Sequence, residues 1–103
     1  MQPPSLSHTA AILLQALAAG HRYGLSIMEA TGLPSGTVYP ALRRLERDHL
    51  VSAHWESEKA AEKEGRPARK YYRPTATGEK ALEAARKRYP HLAALFLGPK
   101  VAK

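Results

Sequence analysis

The sequence predicts a single α+β domain that is mainly helical, with three short helices, a two-stranded hairpin and a short C-terminal helix. Apolar residues recur at helical spacing before residue 50 and after residue 75, which predicts helices in both regions. Between them, apolar and polar residues alternate, which predicts a half-buried strand. A chain of 103 residues fits one domain.

The first two helices are delimited by a capping residue and a glycine. Ser7 is a suitable N-cap for a helix over about 8–19. A second helix is predicted over about 23–30, and Gly32 is suited to end it. The apolar side of this second helix is expected to comprise Leu25, Ile27 and Met28.

The third helix is predicted to begin after a cap at Ser35, to end near residue 48, and to have two unlike faces. At about 100° per residue, its apolar residues share one face and arginines occupy the other. Two short helices joined by a tight, glycine-bearing turn are typical of a helix-turn-helix. The apolar face holds Val38, Ala41, Leu42, Leu45 and His49. The opposite face holds Gly36, Pro40, Arg43 and Arg47, flanked by Thr37, Tyr39 and Arg44.

The hairpin is predicted from two strands that flank a charged segment. Residues 50–56 alternate, with Val51, Ala53 and Trp55 on one face, and residues 69–73 form the second strand. The segment 57–67 is charged and contains glycine and proline, so it is predicted as a loop. A hairpin with such a long tip is a wing. Its aromatic residues, Trp55 and Tyr71, are expected in the core.

The C-terminal part is predicted as a helix capped by Thr75 and stopped at Pro90, followed by a short apolar turn. The expected organisation has four parts. A flexible arm covers 1–6, a winged helix-turn-helix domain covers 7–75, a C-terminal helical dimerisation segment covers 76–97, and a flexible basic tail covers 98–103.

The charge balance favours a polyanionic partner. Sixteen Lys and Arg face nine Asp and Glu, for a net charge of +7, which favours nucleic acid first and an anionic membrane second. The absence of cysteine excludes disulfides and thiolate zinc sites. The apolar run at 10–19 is too short to cross a bilayer and lacks signal-peptide flanks. We therefore expect a cytoplasmic protein with no membrane partner.

The unlike faces of the third helix suit a helix that lies in the major groove of DNA. Its apolar face can dock on the first two helices, while arginine pairs bidentately with guanine. The alternative is a solvated face held by i, i+4 ion pairs. Against it, Arg43 and Arg47 form a like-charge pair, which slightly destabilises an isolated helix.

Several motifs also resemble the PadR-like family of transcriptional regulators. The segment Gly36–Glu46 resembles the family's most characteristic motif. The segments 48–51, 65–67 and 71–75, with Gly78, resemble its wing and the start of its last helix. The segment 21–24 resembles the start of its second helix. The resemblance covers about residues 6–90 and implies a winged-helix homodimer that represses transcription from a near-palindromic operator.

The third helix, the wing and the C-terminal segment supply the candidate site residues. The resemblance implies that Ser35, Thr37 and Tyr39 contact phosphate or lie near bases, that Arg43 and Arg44 lie beside the groove, and that Arg66 lies at the wing tip. The full set expected to contact double-stranded DNA is Ser35, Gly36, Thr37, Tyr39, Pro40, Arg43, Arg44, Arg47, Lys63 and Arg66. The set expected at a dimer interface is Leu82, Ala85, Tyr89, Leu92, Leu95 and Phe96.

No catalytic or metal-binding pattern accompanies these motifs. The five histidines show no metal-ligand spacing and no recognisable catalytic arrangement, so we expect no enzyme, no metal and no cofactor. A small-molecule effector is not evident. Two alternatives to a specific repressor stay open: a non-specific or architectural DNA-binding protein, and a winged helix used for protein contact.

Overall fold

Three helices, a hairpin that contains a short helix, and a C-terminal helix follow one another along the chain, in a computed structural model that describes residues 5–96. The predicted α+β, mainly helical class is confirmed. The helices are α1 (His8–Ala18), α2 (Gly24–Thr31), α3 (Ser35–Arg47), α4 (Glu58–Lys63) and α5 (Ala76–Arg88), with a 3₁₀ turn at Leu92–Ala94. The strands are β1 (Val51–Trp55) and β2 (Lys70–Pro74).

Helix α1 lies at the centre of the core and packs against α2, α3, β2 and α5. The Ser7 hydroxyl caps it by accepting a hydrogen bond from the Ala10 N–H at 3.1 Å, as predicted. Gln15 is the buried polar residue of this helix, and its side-chain oxygen accepts from Arg86 Nε at 3.0 Å. That bond satisfies the amide oxygen and ties α1 to α5.

The turn between α2 and α3 is tight because it is closed by local hydrogen bonds. Gly32 adopts φ +74°, and its N–H donates to the Met28 carbonyl at 2.8 Å. Only glycine takes this left-handed conformation at little steric cost. The Thr31 hydroxyl donates to the Ile27 carbonyl and accepts from the Leu33 N–H. The helix-turn-helix geometry is therefore set within the turn itself.

Two details of this region differ from the sequence prediction. Ser35 is the first residue of α3, and Pro34 occupies the N-cap position without a side-chain hydrogen bond. The proline, at φ −77° and ψ 162°, is extended and lets the helix begin immediately after it. Leu25 is 52% exposed, because α2 packs only on its α1 and α3 side, where Ile27 is fully buried.

The wing is an antiparallel pair in which Val51 faces Pro74, Ala53 faces Tyr72 and Trp55 faces Lys70. The segment before α2 also pairs with β2. Tyr23 forms an antiparallel bridge with Tyr71, and the Tyr72 N–H donates to the Arg22 carbonyl at 2.8 Å. The wing base is therefore hydrogen-bonded to the segment before α2 as well as to its own partner strand.

The predicted loop over 57–67 contains the short helix α4, which is a correction. The Ser57 hydroxyl caps α4 by accepting from the Ala60 N–H at 3.1 Å. Ala61 is only 3% exposed, and the residues of α4 are all strong helix formers. Gly65 follows at φ +69° and turns the chain back towards β2. A cap and one buried alanine thus outweigh the charged composition that favoured a loop.

Helix α5 is capped by Thr75 as predicted. Its hydroxyl accepts from the Gly78 N–H at 3.0 Å and donates to the His49 carbonyl at 2.7 Å. Gly78 allows α5 to approach the residue that precedes β1, because a Cβ there would overlap the Leu50 carbonyl oxygen. The helix ends at Arg88, two residues before Pro90.

Residues 5 and 6 of the predicted flexible arm contact the folded chain. Leu6 is 7% exposed, and Arg88 donates to the Ser5 hydroxyl at 2.6 Å. These contacts tie the start of the described chain to α5. The remainder of that arm and the predicted tail over 98–103 lie outside the described residues. Among residues 5–96, no helix has the length and apolar character needed to span a bilayer.

Candidate nucleic-acid interface

Helix α3 docks on the core through one face and leaves the other uncovered. Val38, Ala41, Leu42 and Leu45 are each at most 3% exposed, as the periodicity predicts. The prediction that His49 belongs to this apolar face is wrong, because His49 is exposed and lies beyond the helix end. Its φ of +60° turns the chain, so the helical spacing no longer applies there.

The uncovered face of α3 carries three arginines with little internal pairing. Arg43 and Arg44 are exposed, and neither forms an ion pair with another residue of the described range 5–96. Arg47 pairs only with its neighbour Asp48, at 3.1 Å, in a largely exposed contact that contributes little. The i, i+4 ion pairs expected of a solvated face are therefore not what this helix has. The guanidinium groups of Arg43 and Arg44 are available to an anion.

The first turn of α3 offers smaller groups beside these arginines. Ser35 and Gly36 are exposed, and Thr37 and Pro40 are partly exposed. An added Cβ at Gly36 would meet open space, so nothing in the protein crowds this turn. A surface can therefore approach the backbone of this turn closely.

Tyr39 rests on the start of α2. Its side chain is on the same surface as the arginines and the residue is 40% exposed. A Cβ at Gly24 would overlap the hydroxyl end of the Tyr39 ring, so the ring lies directly on the first residue of α2. The N-terminus of a helix carries partial positive charge. The Tyr39 hydroxyl and the start of α2 thus form one corner suited to a phosphate.

Sequence reasoning did not identify Gly24 as the buried residue on which Tyr39 rests. The signal that was present is a glycine at the start of a helix, where nothing local requires one. Its reason is the close approach of Tyr39 from the next helix.

Arg66 lies in an internal ion pair at the wing. Its guanidinium donates to both carboxylate oxygens of Glu56, at 2.6 and 2.9 Å. The Arg69 N–H donates to the same carboxylate at 3.1 Å. The side chains of Arg66 and Glu56 are only 23% and 13% exposed. The sequence prediction placed Arg66 against DNA, whereas the structure uses it to close the wing tip.

The same contacts stabilise the ionised form of Glu56. The hydrogen bonds from Arg66, with that from the Arg69 backbone, lower the pKa of Glu56 from 4.5 to about 2. The carboxylate in turn raises the pKa of Arg66. The ion pair of Arg66 with Glu56, here called the wing clamp, therefore stays charged throughout the neutral pH range. Of the wing cations predicted to contact DNA, Lys63 is the exposed one, at the end of α4.

A second ion pair connects the wing to α3. Lys70 Nζ lies 3.1 Å from Glu46 Oε1, and both side chains are partly exposed. Glu46 follows Arg43 by three residues on α3. Burial raises the pKa of Tyr72, which lies two residues after Lys70 on β2 and packs into the core. The pair sets the wing alongside the exposed face of α3, and sequence spacing gave no sign of it.

The aromatic residues of the wing differ from the prediction. Trp55 is 66% exposed and not in the core. The alternation correctly placed it on the face of Val51 and Ala53, but the helical core does not extend that far along β1. Tyr71 is half-buried, with its ring edge-on to Tyr23 at 5.7 Å and stacked near His54 at 5.8 Å.

The residues expected at a dimer interface are largely occupied within one chain. Leu82, Ala85 and Leu92 are at most 4% exposed and belong to the chain's own core. Tyr89, Leu95 and Phe96 are partly buried against that core and keep some exposed surface. No three His, Cys, Asp or Glu side chains cluster like metal ligands within residues 5–96.

The fold and the basic face of α3 define a winged helix-turn-helix protein that binds DNA. The model of the Transcriptional regulator PadR-like family matches residues 13–84, so the chain belongs to this family. The members of this family are transcriptional regulators and not enzymes. A search of curated proteins gave no significant match.

Solved structures of similar fold carry the same family description. A PadR family transcription regulator from Clostridium difficile R20291 is 24% identical, with a TM-score of 0.71, over 85% of this chain and 93% of that one. A PadR family transcriptional regulator from Eggerthella lenta DSM 2243 is 24% identical, with a TM-score of 0.65, over 82% and 74%. A PadR-like transcription factor from Bacteroides fragilis is 27% identical, with a TM-score of 0.62, over 84% and 82%.

Proposed function

We propose that the protein is a sequence-specific regulator that represses transcription as a homodimer bound to a near-palindromic operator. Its partner is double-stranded DNA in the cytoplasm. The observation that carries this proposal is the uncovered face of α3, where Arg43, Arg44 and Arg47 lie opposite a fully buried apolar face.

Helix α3 is assigned to the major groove. The groove is wide enough for one α-helix, and an arginine there pairs bidentately with guanine. We assign base contact to Arg43 and backbone contact to Ser35, Thr37 and Tyr39, whose hydroxyls donate to phosphate oxygens and fix the register. The crowding-free turn at Gly36 lets the backbone of α3 approach the base edges.

The two-fold symmetry of helix-turn-helix operators supports a homodimer. A dimer places two copies of the recognition helix about one DNA turn apart, roughly 34–36 Å, and a palindrome matches that symmetry. The partly exposed residues Tyr89, Leu95 and Phe96 are the members of the predicted interface that can still meet a second copy. The buried members Leu82 and Leu92 act indirectly, by holding the C-terminal segment on the core.

The proposal is tested by selecting random duplexes against the purified protein at physiological salt and sequencing the enriched pool. We expect a palindromic motif whose half-sites are centred about 10 base pairs apart. The Arg43→Ala variant is expected to lose preference at one position of each half-site. Lys80→Ala, which removes an exposed cation from α5, serves as the matched control and is expected to recover the same motif.

A pool without enrichment would contradict the proposal. If the protein still binds duplexes at low salt with a steep salt dependence, the non-specific or architectural alternative takes its place. If regulatory activity survives the loss of all three α3 arginines, the winged helix serves protein contact instead.

A further inference from the structure

Trp55 is a large apolar side chain left uncovered beside the recognition helix. It is 66% exposed and is the sole tryptophan of the chain. A tryptophan buries about 150–250 Å² when fully covered, so roughly 100–160 Å² of this ring faces water. Strand alternation places it on the sheet face of Val51, the face that packs on the helices.

The surroundings of Trp55 join the wing to α3. Its cross-strand partner is Lys70, whose ammonium lies 5.9 Å from the centre of the indole ring. The same ammonium pairs with Glu46 of α3 at 3.1 Å. Glu46 directly precedes Arg47 and follows Arg43 by three residues. Trp55 is therefore connected through Lys70 to the face of α3 that carries Arg43 and Arg47.

Charge complementarity selects the occupant that covers this ring. A second copy of the chain would bring a net charge of +7 to a chain of the same charge, and the cation beside the ring is Lys70. A DNA strand brings phosphates for Lys70 and the α3 arginines, and the apolar face of deoxyribose for the ring. Indole also offers an N–H donor at its edge, so one side chain satisfies both chemistries of the strand.

We propose that Trp55 packs against deoxyribose and donates its indole N–H to a phosphate of the strand that flanks the groove entered by α3. The contact is made to the backbone, so it adds affinity without reading sequence. It takes over the wing contact that the sequence assigned to Arg66, whose guanidinium is held by Glu56. This inference rests on the proposed DNA binding by α3.

The test uses the emission of Trp55, which reports on one position because the chain has no other tryptophan. Purified protein is titrated with an unlabelled mixed-sequence duplex while emission is recorded. A parallel titration follows the anisotropy of the same duplex carrying a fluorescent label. We expect the emission to change with the same midpoint as the anisotropy.

Variants separate the contact from the fold. Trp55→Ala is expected to bind about 5- to 30-fold more weakly, by the same factor on the selected operator and on the mixed-sequence duplex. Trp55→Phe keeps an aromatic ring without the N–H, and its affinity is expected to lie between those of the wild type and Trp55→Ala. His54→Ala is the matched control, because His54 is exposed on the opposite face of the same strand. Thermal unfolding checks that each variant folds.

Three results would overturn the inference. Constant emission while the anisotropy rises would place Trp55 outside the interface and leave the proposed function standing. An emission change that follows protein concentration without DNA would place the ring between two copies of the chain. No anisotropy change at any duplex concentration would remove the proposed function and this inference together.

Discussion

Replacing Gly24 by alanine tests whether the position of the Tyr39 ring matters for DNA binding. The new methyl group would overlap the hydroxyl end of that ring. To restore ordinary van der Waals separation the ring must withdraw by roughly 1–1.5 Å. A hydrogen bond tolerates only about half an ångström of variation in donor–acceptor distance. The displaced hydroxyl would therefore lose the phosphate contact that the proposed function assigns to it.

The expected magnitudes separate binding from stability. The overlapping atoms are the free end of a flexible side chain, so the ring can move at a cost of about 0.5–1.5 kcal/mol. Alanine is up to about 1 kcal/mol more favourable than glycine in a helix, which offsets most of that cost. A hydrogen bond to a charged group contributes about 1.5–3 kcal/mol. We therefore expect nearly unchanged stability and a loss of affinity of about tenfold or more.

The assay is a double-mutant cycle with Gly24→Ala, Tyr39→Phe and the combined variant. Affinity is measured by anisotropy of the labelled operator, and stability by urea denaturation. If the glycine acts only through the Tyr39 hydroxyl, the combined variant binds no more weakly than Tyr39→Phe alone. Wild-type affinity for Gly24→Ala, or losses that simply add, would refute the reasoning.

Three further perturbations probe the contact of α5 with Leu50, the ion pair of Arg66 with Glu56, and helix α3. Gly78→Ala places a methyl group on the Leu50 carbonyl, which cannot move as a side chain does, and is expected to lower the free energy of unfolding by about 2–3 kcal/mol in urea denaturation. Because the pKa of Glu56 falls from 4.5 unfolded to about 2 folded, its clamp stabilises above pH 4.5 and weakens towards pH 2. The excess Tm of wild type over Glu56→Gln should be constant above pH 5 and shrink below pH 4.5, whereas a pH-independent difference would exclude the clamp. Arg43→Ala is expected to weaken operator binding by about 1–3 kcal/mol at one base position, and an equal loss on all duplexes would make it a phosphate contact.

Much of the fold follows from local sequence patterns. The starts and ends of α1, α2 and α3 lie within a residue or so of the prediction, because caps, glycines and the 3.6-residue period act within one turn. The buried face of α3 is predicted residue by residue for the same reason, as far as the helix continues. His49 fails because a residue at positive φ follows a different geometry.

The partners of charged residues could not be read from the sequence. Arg66 and Glu56 are ten residues apart, and Lys70 and Glu46 are 24 apart. The residues of each pair meet in space only because the chain turns at α4, and the charged composition of that segment did not predict the helix. The charged residues of the wing were therefore visible as charges, but not as a clamp or as a bridge to α3.

By itself the sequence determined the order of the elements apart from α4, the helix-turn-helix with its wing, the basic face of α3 and membership of a family of DNA-binding regulators. Tertiary structure alone decided that Tyr39 rests on Gly24, that Arg66 closes the wing and that Trp55 stands uncovered. The physical reason is the separation along the chain of the residues that interact. Helix periods, caps and turns are set by neighbours along the chain, whereas burial and pairing are set by groups that meet only when separate elements pack together.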